Sequence, residues 1–344
     1  MKPLLSICIP TYNRADYLRM TLESIIQEIS SVSYQIEVVV SDNGSTDNTL
    51  EVLEDFAKKY SFFKYFKNST NLGFDVNFIS AIEHSSQGGY IWTFSDDDLI
   101  KKGALKEIIS LINTYNPNYI CVNFDQFITM NGKIKNIRMG KEFRTFNKLI
   151  KDVRFNLNFR EILDLILVYP GFLSINIFRK ECLNVSEILE NVTNVKSWSH
   201  FWMIAQATLD GGGVISPNLA VSQRTDNSFA NSSVFFKQLP NTFSYIFALY
   251  GIDQKFANIF FNKLSKNLFS ITNIISTVVY LKLKREKLDS IEISQEISKP
   301  CRIVLLRILF YITPRFLVIV PTKFVRFLKG KGFTLNDYTL EERF

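Results

Sequence analysis

Three consecutive carboxylates, Asp96, Asp97 and Asp98, close the apolar run Tyr90-Ile91-Trp92-Thr93-Phe94. Acids placed side by side repel one another unless a cation or a donor-rich ligand holds them. Hard oxygens in a short turn suit Mg²⁺ or Mn²⁺, ions that bind through one or two carboxylates plus the phosphates of a ligand. The chemistry expected here is therefore that of a metal–diphosphate site. The same acids would also serve as the N-cap and first turn of a helix beginning near Lys101-Lys102-Gly103-Ala104-Leu105, although one Asp satisfies a cap. Two further polar stretches follow apolar runs. In Pro10-Thr11-Tyr12-Asn13-Arg14, Tyr12 offers a ring on which a nucleobase could stack. In Ser41 to Thr49, Asp42 offers a carboxylate to a base or ribose, while the same loop would also form an Asx-turn and helix cap.

These residues need elements to hold them. Leu4 to Ile9 has the length and composition of a strand, and Asp16 opens a helix to about Gln27 with Leu18, Leu22, Ile25 and Ile26 on one face. A second strand, Ile36 to Val40, leads through the Asp42 loop into a helix ending near Lys59. A third strand near Phe62 to Lys67 precedes Asn71-Leu72-Gly73 and another helix, and Tyr90 to Phe94 forms the strand that carries the acids. Helix Ala104 to Tyr115 and strand Tyr119 to Phe124 continue the alternation, which is the βαβ rhythm of a parallel sheet. Ligands in such sheets bind outside the carboxyl ends of the strands, where the three polar loops would meet.

Taken together, Ser6 to Arg14, Val40 to Asp47, Asn71-Leu72-Gly73 with Asn77, and Phe94 to Asp98 resemble the family 2 glycosyltransferases of GT-A fold in order and in spacing. The likeness covers residues 4 to 125 and thins beyond them. It implies an α/β chain of GT-A type, with a mostly parallel, doubly wound sheet and helices on both faces, that transfers a sugar from a nucleotide-diphosphate donor with inversion. It further implies that Pro10, Tyr12, Asn13, Asp42, Asn71, Asp96 and Asp97 hold the donor nucleotide, and that Asp97 and Asp98 hold Mn²⁺ or Mg²⁺, Asp98 being the direct ligand. The chain departs from the family in having Ser95 where the motif often begins with Asp. In the family's second half an acidic pair supplies the base. The corresponding stretch here is Ser197 to Met203, with His200 in the acid's place. A histidine can take a proton near neutral pH, and a packing role at a helix start would explain the residue equally well.

Ser199-His200, Ser216 to Val221 and Arg224 to Phe229 are similar to the bacterial O-antigen abequosyltransferase branch of that family. By this likeness Arg224, Asp226 and Asn227 line the donor or acceptor pocket; a polar surface loop is the alternative for the same residues. The Gly-rich, Arg-containing loop of a nucleotidyltransferase is missing after the first strand. A non-catalytic nucleotide-sugar or glycan-binding protein of the same fold stays open, since the base is atypical.

The chain has 344 residues and a formal charge of +7. That charge is concentrated between Lys299 and Lys331, where Arg302, Arg307, Arg315, Lys323, Arg326 and Lys329 alternate with bulky apolar residues and no acid intervenes. Arg307, Pro314, Arg315 and Pro321 cut the apolar pieces below the roughly 20 residues that a span needs. Such a segment suits the surface of an anionic leaflet, with a final helix packed on the domain as the alternative. Nucleic acid is not indicated, because stacking platforms and binding motifs are absent. Cys8, Cys121, Cys182 and Cys301 have no metal or redox spacing, and nothing points to an oxidising compartment. The expected organisation is a glycosyltransferase domain over residues 1–235, with its nucleotide-sugar half at 1–125 and its acceptor half at 126–235. A helical region follows at 236–344, where Phe256, Ile259, Phe260 and Leu264 begin a stripe and 299–331 binds the membrane. The expected setting is the cytoplasmic face of the cell membrane and the expected acceptor a lipid-linked oligosaccharide.

Overall fold

The structure, a computed structural model, describes residues 2–85, 87–130, 133–137, 150–166, 172–195, 198–225 and 239–268. The chain divides into two compact units, one of residues 1–127 with 141–224, the other of residues 128–140 with 225–344.

The first unit begins with β1 (Leu5–Thr11) and β2 (Ile36–Asp42), two parallel strands buried along their whole length. Strands covered on both faces read as continuous apolar runs, as Ile7-Cys8-Ile9 and Val38-Val39-Val40 do. Helix α1 (Ala15–Ile29) buries Leu18, Leu22 and Ile25 and packs against α2 (Thr49–Lys59). Strand β3 (Phe63–Lys67) extends the sheet beyond β2, and helix α3 (Phe74–Ser85) lies against β1 and β2. Strand β4 (Tyr90–Thr93) pairs in parallel with β1 on its other side, and the acids follow directly. The two-residue β5 (Leu99–Ile100) leads to α4 (Ala104–Tyr115), which ends on Asn116 in the left-handed region at φ 45°.

Beyond α4 the sheet is mixed where a mostly parallel one was expected. Strand β6 (Tyr119–Met130) runs longer than the expected Tyr119 to Phe124 and pairs with β7 (Lys133–Ile137). After β8 (Arg154–Leu157), helix α5 (Phe159–Ile166) and a 3₁₀ turn at Leu173–Ile175, strand β9 (Asn176–Arg179) enters antiparallel between β4 and β6. Short helices α6 (Val185–Glu190) and α7 (Val192–Val195) lead to α8 (Ser199–Thr208) and β10 (Gly213–Arg224). The resulting order is β3-β2-β1-β4-β9-β6-β10-β5, with β7 beside β6 and β8 beside β10. The reversed strand is invisible to hydropathy because Asn176-Ile177-Phe178 carries no directional signal. The 3₁₀ turn that leads into it makes specific core contacts: Trp92 Nε1 donates to the Ser174 carbonyl at 2.8 Å and Thr93 Oγ1 to the Leu173 carbonyl at 2.8 Å. Trp92, Phe94, Tyr119, Phe124, Phe178 and Trp202 are fully buried around this seam.

In the second unit, helices α9 (Leu239–Leu249) and α10 (Gln254–Leu268) pack through phenylalanines, the rings of Phe243 and Phe260 lying 4.5 Å apart and those of Phe247 and Phe260 5.1 Å. Phe260 and Leu264 of the expected stripe are buried, whereas Ile259 is exposed. The basic segment from Lys299 to Lys331 lies outside the described residues. Among the described residues no helix is long and apolar enough to cross a membrane.

Candidate active site

At the carboxyl end of β1 the chain turns through Tyr12, which is 40% exposed, and Asn13, at φ 52°. Asparagine tolerates this left-handed conformation, and its side chain uses the turn. Asn13 Oδ1 accepts from the Thr46 amide at 2.7 Å, and the Asn13 amide donates to Ser45 Oγ at 2.8 Å. The first polar loop is thereby fastened to the second. Pro10 is buried within β1 opposite Ser41.

Asp42, the last residue of β2, is fully buried. Its Oδ1 accepts from the Ser45 amide at 2.9 Å, but Oδ2 has no hydrogen-bond partner, the Lys67 ammonium standing 3.9 Å away. A buried carboxylate oxygen left without a donor is costly. At the end of the loop Asp47 accepts from the amide and hydroxyl of Thr49, the first residue of α2, whose N-cap residue Asn48 makes no side-chain hydrogen bond to the helix.

The third loop is held by amides. Asn71 Oδ1 accepts from Asn43 Nδ2 and from the Gly73 amide, both at 2.9 Å, and Asn43 Oδ1 accepts from the Leu72 amide at 2.9 Å. Asn77 Nδ2 donates to the carbonyls of Ser41 at 3.0 Å and Thr11 at 3.4 Å. Asn71 and Asn77 thus build the rim that joins β1, β2 and α3.

Each acid of the cluster has its own partners. Asp96 accepts from Thr11 Oγ1 at 2.8 Å and from Arg14 Nη1 at 2.7 Å, and Asp97 accepts from the same Nη1 at 3.0 Å and from Ser95 Oγ at 2.5 Å. Asp98 accepts from Ser174 Oγ at 2.6 Å and from the Arg224 amide at 2.9 Å, while its carbonyl accepts from Thr21 Oγ1 at 2.8 Å. Burial pushes the Asp96 carboxyl up to about 6 despite the Arg14 charge, and burial together with the neighbouring Asp97 raises Asp98 well above the carboxylate range. Such carboxyls favour a cation that would restore their charged form. Among the described residues no three His, Cys, Asp or Glu side chains form a metal cage. The donor set therefore fits an ion held by one or two of these carboxylates and completed by a ligand's phosphates.

Arg224 is buried, its guanidinium between the rings of Tyr17 at 4.7 Å and Phe127 at 4.6 Å, with Nε donating to the Asp97 carbonyl at 3.1 Å. Both its backbone and its side chain brace the acid turn. Asp226 and Asn227 lie outside the described residues. His200, in the first turn of α8, is 3% exposed; its ring lies 4.7 Å from that of Phe201 and 5.9 Å from that of Trp198. Neither ring nitrogen has a hydrogen-bond partner, and burial lowers its pKa from 6.5 to about 3. In this arrangement the ring is neutral and a weak base. Arg14, Thr11 and Ser174 were not expected at the site. Arg14 and Thr11 lie within the quoted first loop, whereas nothing in the sequence marks Ser174.

A mixed sheet with its polar loops gathered at the ends of β1, β2 and β4 is the GT-A type of α/β fold, and residues 6–169 match the model of glycosyl transferase family 2. That match covers a little under half of the chain, and over it the chain is similar to the family 2 glycosyltransferases. It is 38% identical over 119 residues to abequosyltransferase RfbV of Salmonella typhimurium strain LT2, a match covering 34% of this chain and 35% of that protein. It is 30% identical over 141 residues to the GalNAc(5)-diNAcBac-PP-undecaprenol beta-1,3-glucosyltransferase of Campylobacter jejuni, covering 40% of this chain and 43% of that one. The matched stretch spans about a third of the length of the first curated relative. In fold the chain resembles S. aureus TarS crystallised with UDP, at a TM-score of 0.58 and 19% identity over 83% of this chain and 76% of that one.

Proposed function

We propose that this protein is an inverting glycosyltransferase that moves a hexosyl or deoxyhexosyl group from a nucleotide-diphosphate donor to a lipid-linked glycan in bacterial surface polysaccharide or O-antigen synthesis. The observation that carries this reading is Oδ2 of buried Asp42, at the carboxyl end of β2, which accepts no hydrogen bond and which the Lys67 ammonium approaches only to 3.9 Å. A nucleoside offers the hydrogen-bond donor that this oxygen lacks. Pro10, Tyr12, Asn13, Asn71, Asp96 and Asp97 complete the nucleotide site in this reading. Asp98, with Asp97, would hold Mg²⁺ or Mn²⁺, which neutralises charge developing on a departing diphosphate.

The acceptor hydroxyl attacks the anomeric carbon as the bond to the diphosphate oxygen breaks, and His200 takes the hydroxyl proton. His200 meets that role only when the acceptor supplies the partner its ring lacks. By the likeness to the abequosyltransferase branch, Arg224, Asp226 and Asn227 would serve donor or acceptor binding, and Lys299 to Lys331 would keep the enzyme on the inner face of the membrane as a peripheral protein. Support for the acceptor class comes from the undecaprenol-linked substrate in the name of the Campylobacter relative, and for a nucleotide donor from the UDP bound to TarS.

A thermal-shift panel of UDP-, CDP-, GDP- and dTDP-sugars, with and without Mn²⁺, tests the reading, because a ligand that binds only the folded state raises its stability. A metal-dependent shift with one nucleotide, followed by turnover of that donor, supports it. A shift without turnover on any lipid-linked acceptor would instead mark a non-catalytic nucleotide-sugar-binding protein.

A further inference from the structure

Helix α8 begins without a cap of its own. Its N-cap residue is Trp198, whose indole accepts no hydrogen bond and whose side chain makes none with the helix. The first amides of a helix need acceptors, and an anion there is favoured by the aligned peptide dipoles. Both are supplied from 124 residues away: Asp75 Oδ1 accepts from Ser199 Oγ at 2.8 Å and from the Ser199 amide at 3.4 Å. Asp75 is 8% exposed, so this contact is buried.

The position of Asp75 is itself determined by the donor side. It lies in the first turn of α3, between Gly73, whose carbonyl accepts from Asn43 Nδ2 at 3.2 Å, and Asn77, whose amide reaches the carbonyls of Ser41 and Thr11. Thr11 is also a donor to Asp96. Hydrogen bonds therefore tie the acid cluster and the Asp42 loop to Gly73 and Asn77, and the backbone at the start of α3 carries Asp75 between them to the start of α8. His200 follows Ser199, and neither of its ring nitrogens has a hydrogen-bond partner. The ring's place is set by the helix start and by packing against Trp198 and Phe201.

We propose that Asp75 is a positioning residue for sugar transfer: by capping α8 it sets His200 relative to the donor site and couples occupation of that site to the acceptor side. This rests on the glycosyltransferase reading above.

The chain has two histidines, so ¹⁵N-histidine labelling gives one pair of ring signals for His200 and one pair, from His84, as internal control. In Asp75→Ala the His200 signal is expected to leave its buried, neutral position and titrate near the ordinary 6.5. Turnover of the UDP-, CDP-, GDP- or dTDP-sugar that the wild type consumes should fall about tenfold or more, with affinity for that nucleotide and Mn²⁺ within about twofold. Asp75→Asn keeps an acceptor for Ser199 without the charge and should recover part of both. Where Asp75→Ala does not fold, Ser199→Ala, which loses only the hydroxyl donor, should shift both readouts in the same direction by less. An unmoved His200 signal together with unchanged turnover in whichever of these variants folds overturns the proposal. Should the wild type consume none of the four donor classes, the glycosyltransferase reading fails, and the His200 signal still decides whether Asp75 sets the start of α8.

Discussion

Ser174 Oγ donates to Asp98 Oδ2 at 2.6 Å and accepts from the Ser95 amide at 2.8 Å, so one buried hydroxyl, 76 residues downstream, spans both ends of the acid turn. Asp98 takes its other bond from the amide of Arg224, the last residue of β10. The side chain proposed as metal ligand is thus oriented by two segments that follow it in sequence.

Asp98→Asn keeps that frame, since its oxygen can still accept from the Arg224 amide and its new amide can donate to the Ser174 hydroxyl. The melting temperature should change little while metal-dependent turnover falls roughly a hundredfold or more. Calorimetry and rate assays on one preparation separate the two; full turnover with an intact fold removes Asp98 from the metal site.

Asp42→Asn preserves the acceptor for the Ser45 amide and removes a buried charge whose Oδ2 has no hydrogen bond. The ligand-free variant should be as stable as the wild type or slightly more so. Its nucleotide-induced thermal shift should fall to what about tenfold weaker binding produces. An undiminished shift would place the nucleoside elsewhere.

Arg14 bridges Asp96 and Asp97 from a single nitrogen, at 2.7 and 3.0 Å. Arg14→Ala leaves two largely buried carboxylates without their cation, which in comparable settings costs about 3–5 kcal/mol. Denaturant titration of the metal-free protein should show a loss of this order, partly restored by Mn²⁺. A loss confined to a few tenths would mean that the pair is solvated in solution.

His200 gives a signed pH dependence. Its folded pKa, about 3, lies below the ordinary 6.5, so between these values the unfolded chain binds a proton that the folded chain does not. Its contribution to stability is complete above pH 6.5 and is lost as pH falls toward 3, by up to about 1.4 kcal/mol per pH unit. From pH 7 to pH 4 the unfolding free energy of the wild type should therefore fall relative to that of His200→Phe, which has no group to titrate at this position. Parallel curves would show that the ring is accessible to solvent.

Local pattern carried much of the donor side. Ile7 to Ile9, Val38 to Val40 and Tyr90 to Thr93 are continuous apolar runs that only a sheet covered on both faces explains, and the polar loops at their ends follow from the parallel order. What sequence reasoning lacked were contacts between distant segments. Asp96 and Arg14 are separated by 82 residues, Asp98 and Arg224 by 126, and no periodicity reports such distances. The mixed sheet was missed because strand direction leaves no trace in hydropathy, and nothing in Ser197 to Met203 reports that the His200 ring packs beside those of Trp198 and Phe201.

The insertion of β9 between β4 and β6 also bears on synthesis of the chain. When residues through Tyr115 have left the ribosome, β1 to β4 can assemble, yet the outer edge of β4 has no neighbour until Asn176–Arg179 arrives. An unpaired apolar edge is a template for association with other chains. A fragment ending near residue 125 would hold most of the recognisable motifs and the least protected strand, so the nascent protein depends on a segment translated about fifty residues later to become safe from aggregation.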